Sequence, residues 1–330
     1  MNGESRRSRF AGAIIAGFVL ATLPGCRTAS QAPPARSPNG QWDLARTEIL
    51  DWVADDPAFG QDRALEASGL TVSGRLLLAT SEKYARLLVI DPADGRRARL
   101  LALDVPHRAE LEGVAWHDGV VYLCDEAHAA VYRAEVGGEA ELLAASGHEA
   151  IPTTSMELVG VDVAGGKIGV EGIEISPDGR LAHLLLERSH LDAERCVSRI
   201  WELRVEPDRL VLDGQHLEVV LEDCNWRLTG LAWMGERLLG LKTQYPGERY
   251  EVVEIDPASG ATTKLLDLTE LLRGVRADGW GNNVEGIAIA ADGALWLIGD
   301  NAVTGVIDDP YPPETDERAV LVRIPRRSEE

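Results

Sequence analysis

Apolar and polar positions recur along this chain in one phrase: a short apolar run, a tight turn, and a second apolar run that ends in polar residues. The clearest copy runs Asn283-Val284-Glu285-Gly286-Ile287-Ala288-Ile289, turns at Asp292-Gly293, and returns through Leu295 to Asp300-Asn301. Two apolar runs around a Gly-containing turn predict a β-hairpin. Four earlier copies begin at Ser68-Gly69-Leu70, Glu112-Gly113-Val114, Glu171-Gly172-Ile173 and Thr229-Gly230-Leu231. Their turns fall at Ser73-Gly74, Asp118-Gly119, Asp178-Gly179 and Gly235-Glu236.

Successive copies are 44 to 59 residues apart. A repeat of that length that holds several strands predicts a β-propeller. A second hairpin follows the first and fourth copies, as Leu87 to Asp91 with Ala98 to Leu103, and Tyr250 to Ile255 with Ala261 to Leu266. Four strands per blade result. The fifth copy runs out after its third strand, and residues 46–52 supply the missing outer one; such closure removes an open sheet edge. The expectation is an all-β single domain over residues 42–325, a propeller of five blades closed by an N-terminal strand, with 326–330 as a tail. Six blades is the alternative, if residues 145–165 hide a degenerate copy.

The N-terminus follows a different pattern. Arg6, Arg7 and Arg9 precede an uncharged apolar stretch from Phe10 to Leu23, then Pro24-Gly25-Cys26. That order predicts a signal peptide over residues 1–25, of lipoprotein type, with Cys26 as the lipidated residue. Residues 26–41 are rich in Pro, Ser and Ala and read as a flexible tether. The expected location is the bacterial cell envelope, as a periplasm-facing lipoprotein held to the membrane by its N-terminal lipid, or as a secreted protein.

In a propeller the innermost strand lines the central channel, and its start lies beside the end of the next strand. Glu112, Glu171 and Glu285 therefore share one mouth with Asn283 and Asp300. Carboxylates that converge on one axis need a cation, a basic side chain or a bound proton to offset their repulsion. An oxygen-only set suits Ca²⁺. The competing reading is a polar ring neutralised by Arg188, Arg227 or Lys242. The net charge of −21 argues against nucleic-acid binding. Cys196 and Cys224 fall near the same face and could form a disulfide or remain two thiols; Cys124 reads as a buried thiol.

The Glu-Gly-Ile/Val phrases, with Gly299-Asp300-Asn301 at the close, resemble the bacterial propellers described as esterase-like activity of phytase and the related SdiA-regulated family. The resemblance covers most of the chain after about residue 60. It implies a propeller, Ca²⁺ dependence and an envelope location, and more weakly an esterase or phosphoesterase. No Gly-x-Ser-x-Gly elbow, His-Glu-x-x-His or P-loop occurs. His128 and His190, which follow second strands, are the candidate general bases. Two functions stand side by side. One is a Ca²⁺-dependent esterase, lactonase or phosphoesterase working at the channel mouth. The other is a non-catalytic envelope propeller that binds a small molecule or a protein partner there.

Overall fold

Each copy of the phrase folds as an antiparallel hairpin, and all five hairpins carry the same irregularity. In the computed structural model the inner strands are Ala67–Ser73, Leu111–His117, Val170–Ile175, Trp226–Met234 and Asn283–Ile289. Their partners are Leu76–Ser81, Val120–Asp125, Leu181–His190, Arg237–Gln244 and Leu295–Asp300. In every pair the register skips one residue near the start of the inner strand: Gly69, Glu112, Glu171, Thr229 and Glu285. A bulge bends its strand and re-aims the extra side chain. Three of the five re-aimed residues are glutamates.

The structure describes residues 41–56, 64–93, 97–145, 147, 149–161, 169–190, 195–214, 216–245, 247–279, 283–301 and 318–328. The expected signal peptide, the tether up to residue 40, and Cys26 lie outside them.

The five inner strands pack side by side in a closed circle, each against the next and the last against the first. Glycine makes that approach feasible. A Cβ on Gly69 would stand 2.8 Å from the Gly113 Cα, and one on Gly113 would stand 2.7 Å from the Gly172 Cα. A Cβ on Gly286 would meet the Gly69 carbonyl carbon at 2.9 Å, which completes the circle. No side chain larger than hydrogen fits where the backbones come this close.

Together with the strands behind them, the inner hairpins form four hydrogen-bonded sheets among the described residues. The first and fourth repeats continue through Arg86–Ile90 and Arg97–Asp104, and through Arg249–Ile255 and Thr262–Asp267, as the pattern predicts. The fifth repeat is completed by Glu48–Asp51, antiparallel to Val320–Ile324. Trp42 strengthens that seam: it is buried, bridges Arg326, and donates Nε1–H to the Gly293 carbonyl at 3.1 Å.

The second and third repeats depart from the simple hairpin pattern. After Ala130–Glu135 the chain forms a short helix, Glu139–Ala144, before its outer strand Thr154–Val159. That outer strand pairs antiparallel with Ala130–Glu135 and parallel with Arg209–Leu212 of the next repeat. The two repeats thus share one nine-stranded sheet, whose end strands Val170–Ile175 and Leu111–His117 pack together. Residues 145–165, the place considered for a sixth blade, contribute this linking strand and a two-residue bridge to Leu103–Asp104, and no inner strand among the described residues. The ten-residue strand Cys196–Val205 exposes an edge long enough for two short outer strands, Arg209–Leu212 and Leu217–Val220.

The core lies between the sheets rather than under any one of them. Leu76, Leu78, Leu87 and Val89 of the first repeat pack with Leu111, Leu123 and Tyr132 of the second. Each junction buries both of its sheet faces. This is why the strands read as almost continuous apolar runs instead of alternating ones.

Candidate metal centre

The bulges put Glu112, Glu171 and Glu285 at one end of the channel. Asn283, Asp300, Glu66, Glu82 and Glu126 join them around a cavity of about 690 Å³. All five residues expected from the sequence as oxygen donors line this one cavity. Carboxylate oxygens of Glu66, Glu82 and Asp300 lie within 4.8 Å of one another, and so do those of Glu82, Glu112 and Glu285. Glu82 is common to both groups.

Glu285 is the best-defined member. It is 4% exposed. Its Oε1 accepts from Arg227 Nη2 at 3.0 Å and from Asn283 Nδ2 at 3.0 Å. Its Oε2 is buried and meets no hydrogen-bond donor among the described residues. An ionised oxygen left in that state costs several kcal/mol unless a cation or proton reaches it. The Asn283 amide also donates to Asp300 Oδ2 at 3.0 Å, which orients both carboxylates.

Glu66 enters the site by a backbone device. It sits in the left-handed region at φ 45°, where a side chain larger than hydrogen is strained. Asn301 holds it there: its Oδ1 accepts the backbone N–H groups of Leu65 and Glu66 at 3.0 and 3.2 Å. Lys83 stands 3.3 Å from both Glu66 Oε2 and Glu82 Oε2. Burial opposes the charge on this ammonium, but the two carboxylates more than offset that and raise its pKa.

The cluster pushes its own carboxyls toward the protonated form. Burial, then the charges of Glu285 and Asp300, raise the Glu82 pKa well above the ordinary carboxylate range. Burial, then Glu82, Glu171 and Glu285, do the same to Glu112. The opposite wall has another character, with Arg227, Arg276, Tyr245 and Tyr250 reaching the cavity. Arg276 is paired with Glu248 on that wall, and Tyr245 is exposed.

Of the basic residues weighed as neutralisers, Arg227 takes that place. Lys242 does not: it is buried one layer out, paired with Glu222 and Glu251 and 4.3 Å from the centre of a Trp226 ring. Its side chain falls on the strand face that packs against Trp226. The side chain of Arg188 lies outside the described residues.

His128 stands apart from the site. His128 is 40% exposed at its side chain, and its Nδ1 meets Asp125 Oδ2 at 2.8 Å. Asp125 also accepts from Tyr132 and from the backbone N–H of Glu110. This arrangement closes a turn, and His128 is not among the residues lining the cavity. His190 ends the strand Leu181–His190, opposite Cys196; its side chain lies outside the described residues. Cys196 and Cys224 are joined in a disulfide across 28 residues. Cys124 is a buried thiol, and burial, then Glu112 and Glu171, push its pKa up.

Two things escaped the sequence reading. Glu66 lies two residues before its phrase, and only its backbone turn brings it in. Glu82 follows the second strand of the first repeat, and nothing in the repeat marks it as the shared member of both carboxylate groups.

The family model described as Phytase-like, esterase-like activity of phytase, matches residues 102–302. No curated protein matches the chain. Among solved structures, the glutaminyl cyclase of Myxococcus xanthus aligns at 14% identity and a TM-score of 0.49, over 85% of this chain and 96% of that one. The PQQ-bound aldose sugar dehydrogenase of Streptomyces coelicolor aligns at 13% identity and a TM-score of 0.44, over 85% and 99%. The hydrazine synthase of Kuenenia stuttgartiensis aligns at 15% identity and a TM-score of 0.39; the match takes in 72% of this chain and 56% of that one.

Proposed function

The chain belongs to the phytase-like family of β-propellers described by esterase-like activity of phytase, and from that premise we propose that it is an exported, Ca²⁺-dependent hydrolase of esters, lactones or phosphoesters. The observation that carries this is the Glu285 Oε2 atom: a buried acceptor without a donor, inside a cluster of carboxylates. The fit to a hard cation is good, because Glu82, Glu112 and Glu285 bring carboxylate oxygens within 4.8 Å of one another. Glu82, Glu112 and Glu285 would hold the ion, with Glu66 and Asp300 as the neighbouring group that shares Glu82. When bound, such an ion polarises an ester or phosphoryl oxygen and acidifies water.

The rest of the cavity belongs to the chain itself. Asn283 fixes the directions of Glu285 and Asp300, and Asn301 fixes the backbone of Glu66. Arg227 and Arg276 offer guanidinium groups to an anionic part of the substrate. Tyr245 offers an exposed ring at the rim. Five inner strands in a closed circle support counting the propeller as five-bladed. The Cys196–Cys224 disulfide supports export, since such bonds persist in oxidising compartments. Residues 1–25 then serve as the signal peptide and Cys26 as the lipid-bearing residue.

The experiment is calorimetry with CaCl₂ on the purified domain and on Glu112→Gln, beside a turnover panel of ester, lactone and phosphoester substrates with and without EGTA. Saturable binding, weakened by Glu112→Gln, and chelator-sensitive turnover are expected. Failure of the wild-type protein to bind Ca²⁺ overturns the metal reading.

One observation favours a second reading. Among the described residues, no His, Cys or Ser lines the cavity, so a general base would have to come from the same carboxylates that would hold the ion. A propeller that uses Ca²⁺ only to bind a small ligand or a protein would show metal binding in the same experiment and no turnover.

A further inference from the structure

The opposite mouth of the channel holds a second cavity, of about 250 Å³, to which all five inner strands contribute. Its composition is unlike that of the carboxylate mouth. The residue two places after the repeated glycine is Thr71, Ala115, Ala232 or Ala288 in four copies, and Glu174 in the third. One long acidic side chain thus takes a place that small residues hold elsewhere around the ring. Trp116 and Trp233, one place further along their strands, line the same cavity.

Glu174 has no counter-charge there. No Lys or Arg is among the residues lining the cavity, and no hydrogen bond or ion pair to Glu174 is present among the described residues. The His183 ring stands opposite Glu174 on the neighbouring strand and meets Trp233 edge-on, with ring centres 5.2 Å apart. Burial pushes the His183 pKa down to about 4, so the imidazole is neutral and supplies no charge. His117 is the remaining titratable group of the lining; its ring lies beside Gly179 at the rim. The Nε1 of Trp233 is buried without an acceptor. Burial alone raises the Glu174 pKa well above the ordinary range.

We propose that this second mouth is a binding site for a small organic monocation, an alkylammonium group held between Glu174 and the indole rings of Trp116 and Trp233. Indole faces attract cations through their quadrupole, more strongly when both are desolvated. A single carboxylate matches a single positive charge and gives a divalent metal too few ligands. The cavity is acidic at one point, Glu174, and elsewhere combines Thr71, His117 and Ser176 with indole and aliphatic side chains, which fits a cation carrying methyl or methylene groups beside its charge. The site is independent of the carboxylate mouth and would stand if that mouth bound no metal.

The test is a tryptophan-fluorescence titration with tetramethylammonium chloride and with methylammonium chloride, against NaCl at matched ionic strength. Wild type is expected to give a saturable change that NaCl does not reproduce. Glu174→Gln should weaken it by roughly tenfold or more, and Glu112→Gln, at the other mouth, should leave it in place. Glu174→Ala introduces the residue that three sister strands carry, so it keeps the experiment decisive if Glu174→Gln misfolds. No saturable change with either ammonium salt, or an unchanged midpoint in the Glu174 variant, overturns the proposal. Loss of the response in Glu112→Gln also overturns it, because the cation would then be at the carboxylate mouth.

Discussion

Arg227 donates to one oxygen of Glu285 at 3.0 Å and leaves the other, buried, without a donor among the described residues. The guanidinium is a built-in counter-ion, but it satisfies half of the carboxylate. Because it holds Oε1 and not Oε2, a cation among Glu82, Glu112 and Glu285 would share Glu285 with it rather than displace it.

Removal of that counter-ion should therefore act in opposite directions with and without metal. Arg227→Gln leaves a buried charge unpaired, and in EGTA it is expected to cost about 2–4 kcal/mol of stability. The same variant should bind Ca²⁺ more tightly than wild type, because a competing positive charge is gone. Urea unfolding in EGTA and in CaCl₂ reads both effects. An equal loss of stability in the two conditions would show that no cation uses Glu285.

The acid cluster sets a pH dependence for the metal-free protein. The folded-state pKa values of Glu82 and Glu112 lie above the unfolded value near 4.5. The folded state then binds more protons than the unfolded one as pH rises past that value. Stability from these groups is present below it and lost on the way up through the raised pKa values. Thermal unfolding in EGTA should show a protein that weakens as the pH rises above the ordinary carboxylate range, and Ca²⁺ should flatten the trend. A flat profile in EGTA would mean that the carboxylates are already compensated.

Glycines of the inner ring and elsewhere should respond oppositely to the same substitution. A Cβ at Gly113 would lie 2.7 Å from both Cys124 Sγ and the Gly172 Cα. Gly113→Ala should cost about 3 kcal/mol or prevent ring closure. Gly274, inside the helix Thr269–Ala277, faces open space, and Gly274→Ala should stabilise by about 0.5–1 kcal/mol. Denaturant midpoints of the pair check the argument.

The disulfide should matter outside the metal site. Replacing Cys196 and Cys224 together with Ala frees a 28-residue separation and should lower stability by about 3 kcal/mol in the chain-entropy picture. Wild type in strong reductant should match the double variant. A variant as stable as oxidised wild type would place the constraint in the surrounding packing of Leu221 and Trp226.

Lipidation can be read directly. In cells expressing the full chain, labelled palmitate should enter the wild-type protein and not Cys26→Ala, which should leave the membrane fraction. Incorporation into both variants, or neither, would remove the anchor from the account.

Much of the ring was legible because the repeat is local. Glu112, Glu171 and Glu285 each sit directly before a glycine and seven or eight residues before a turn glycine, so counting residues was enough to bring them together. The closing strand was legible for a similar reason, since the last repeat visibly lacks its outer edge. The rest depended on distance in the chain or on side-chain direction. Glu66 needs Asn301, 235 residues away, to hold its backbone. Lys242 ends the expected strand, yet points toward Trp226 because alternation sends it to the other face. The bulges themselves leave no trace in composition. They appear only once two strands are paired, and it is they that turn three glutamates toward the axis.

The seam between Glu48–Asp51 and Val320–Ile324 also sets an order of events. The first strand has no partner until the fifth repeat has been made, and its pairing closes a loop that spans all five repeats. Such contacts form slowly and last. Until then the ring stands open at one edge, with Trp42 unburied and a bare strand available to other chains. The interval between emergence of Glu48 and arrival of Ile324 is thus the period in which this protein most needs protection, and anything that shortens it should raise the yield of folded molecules.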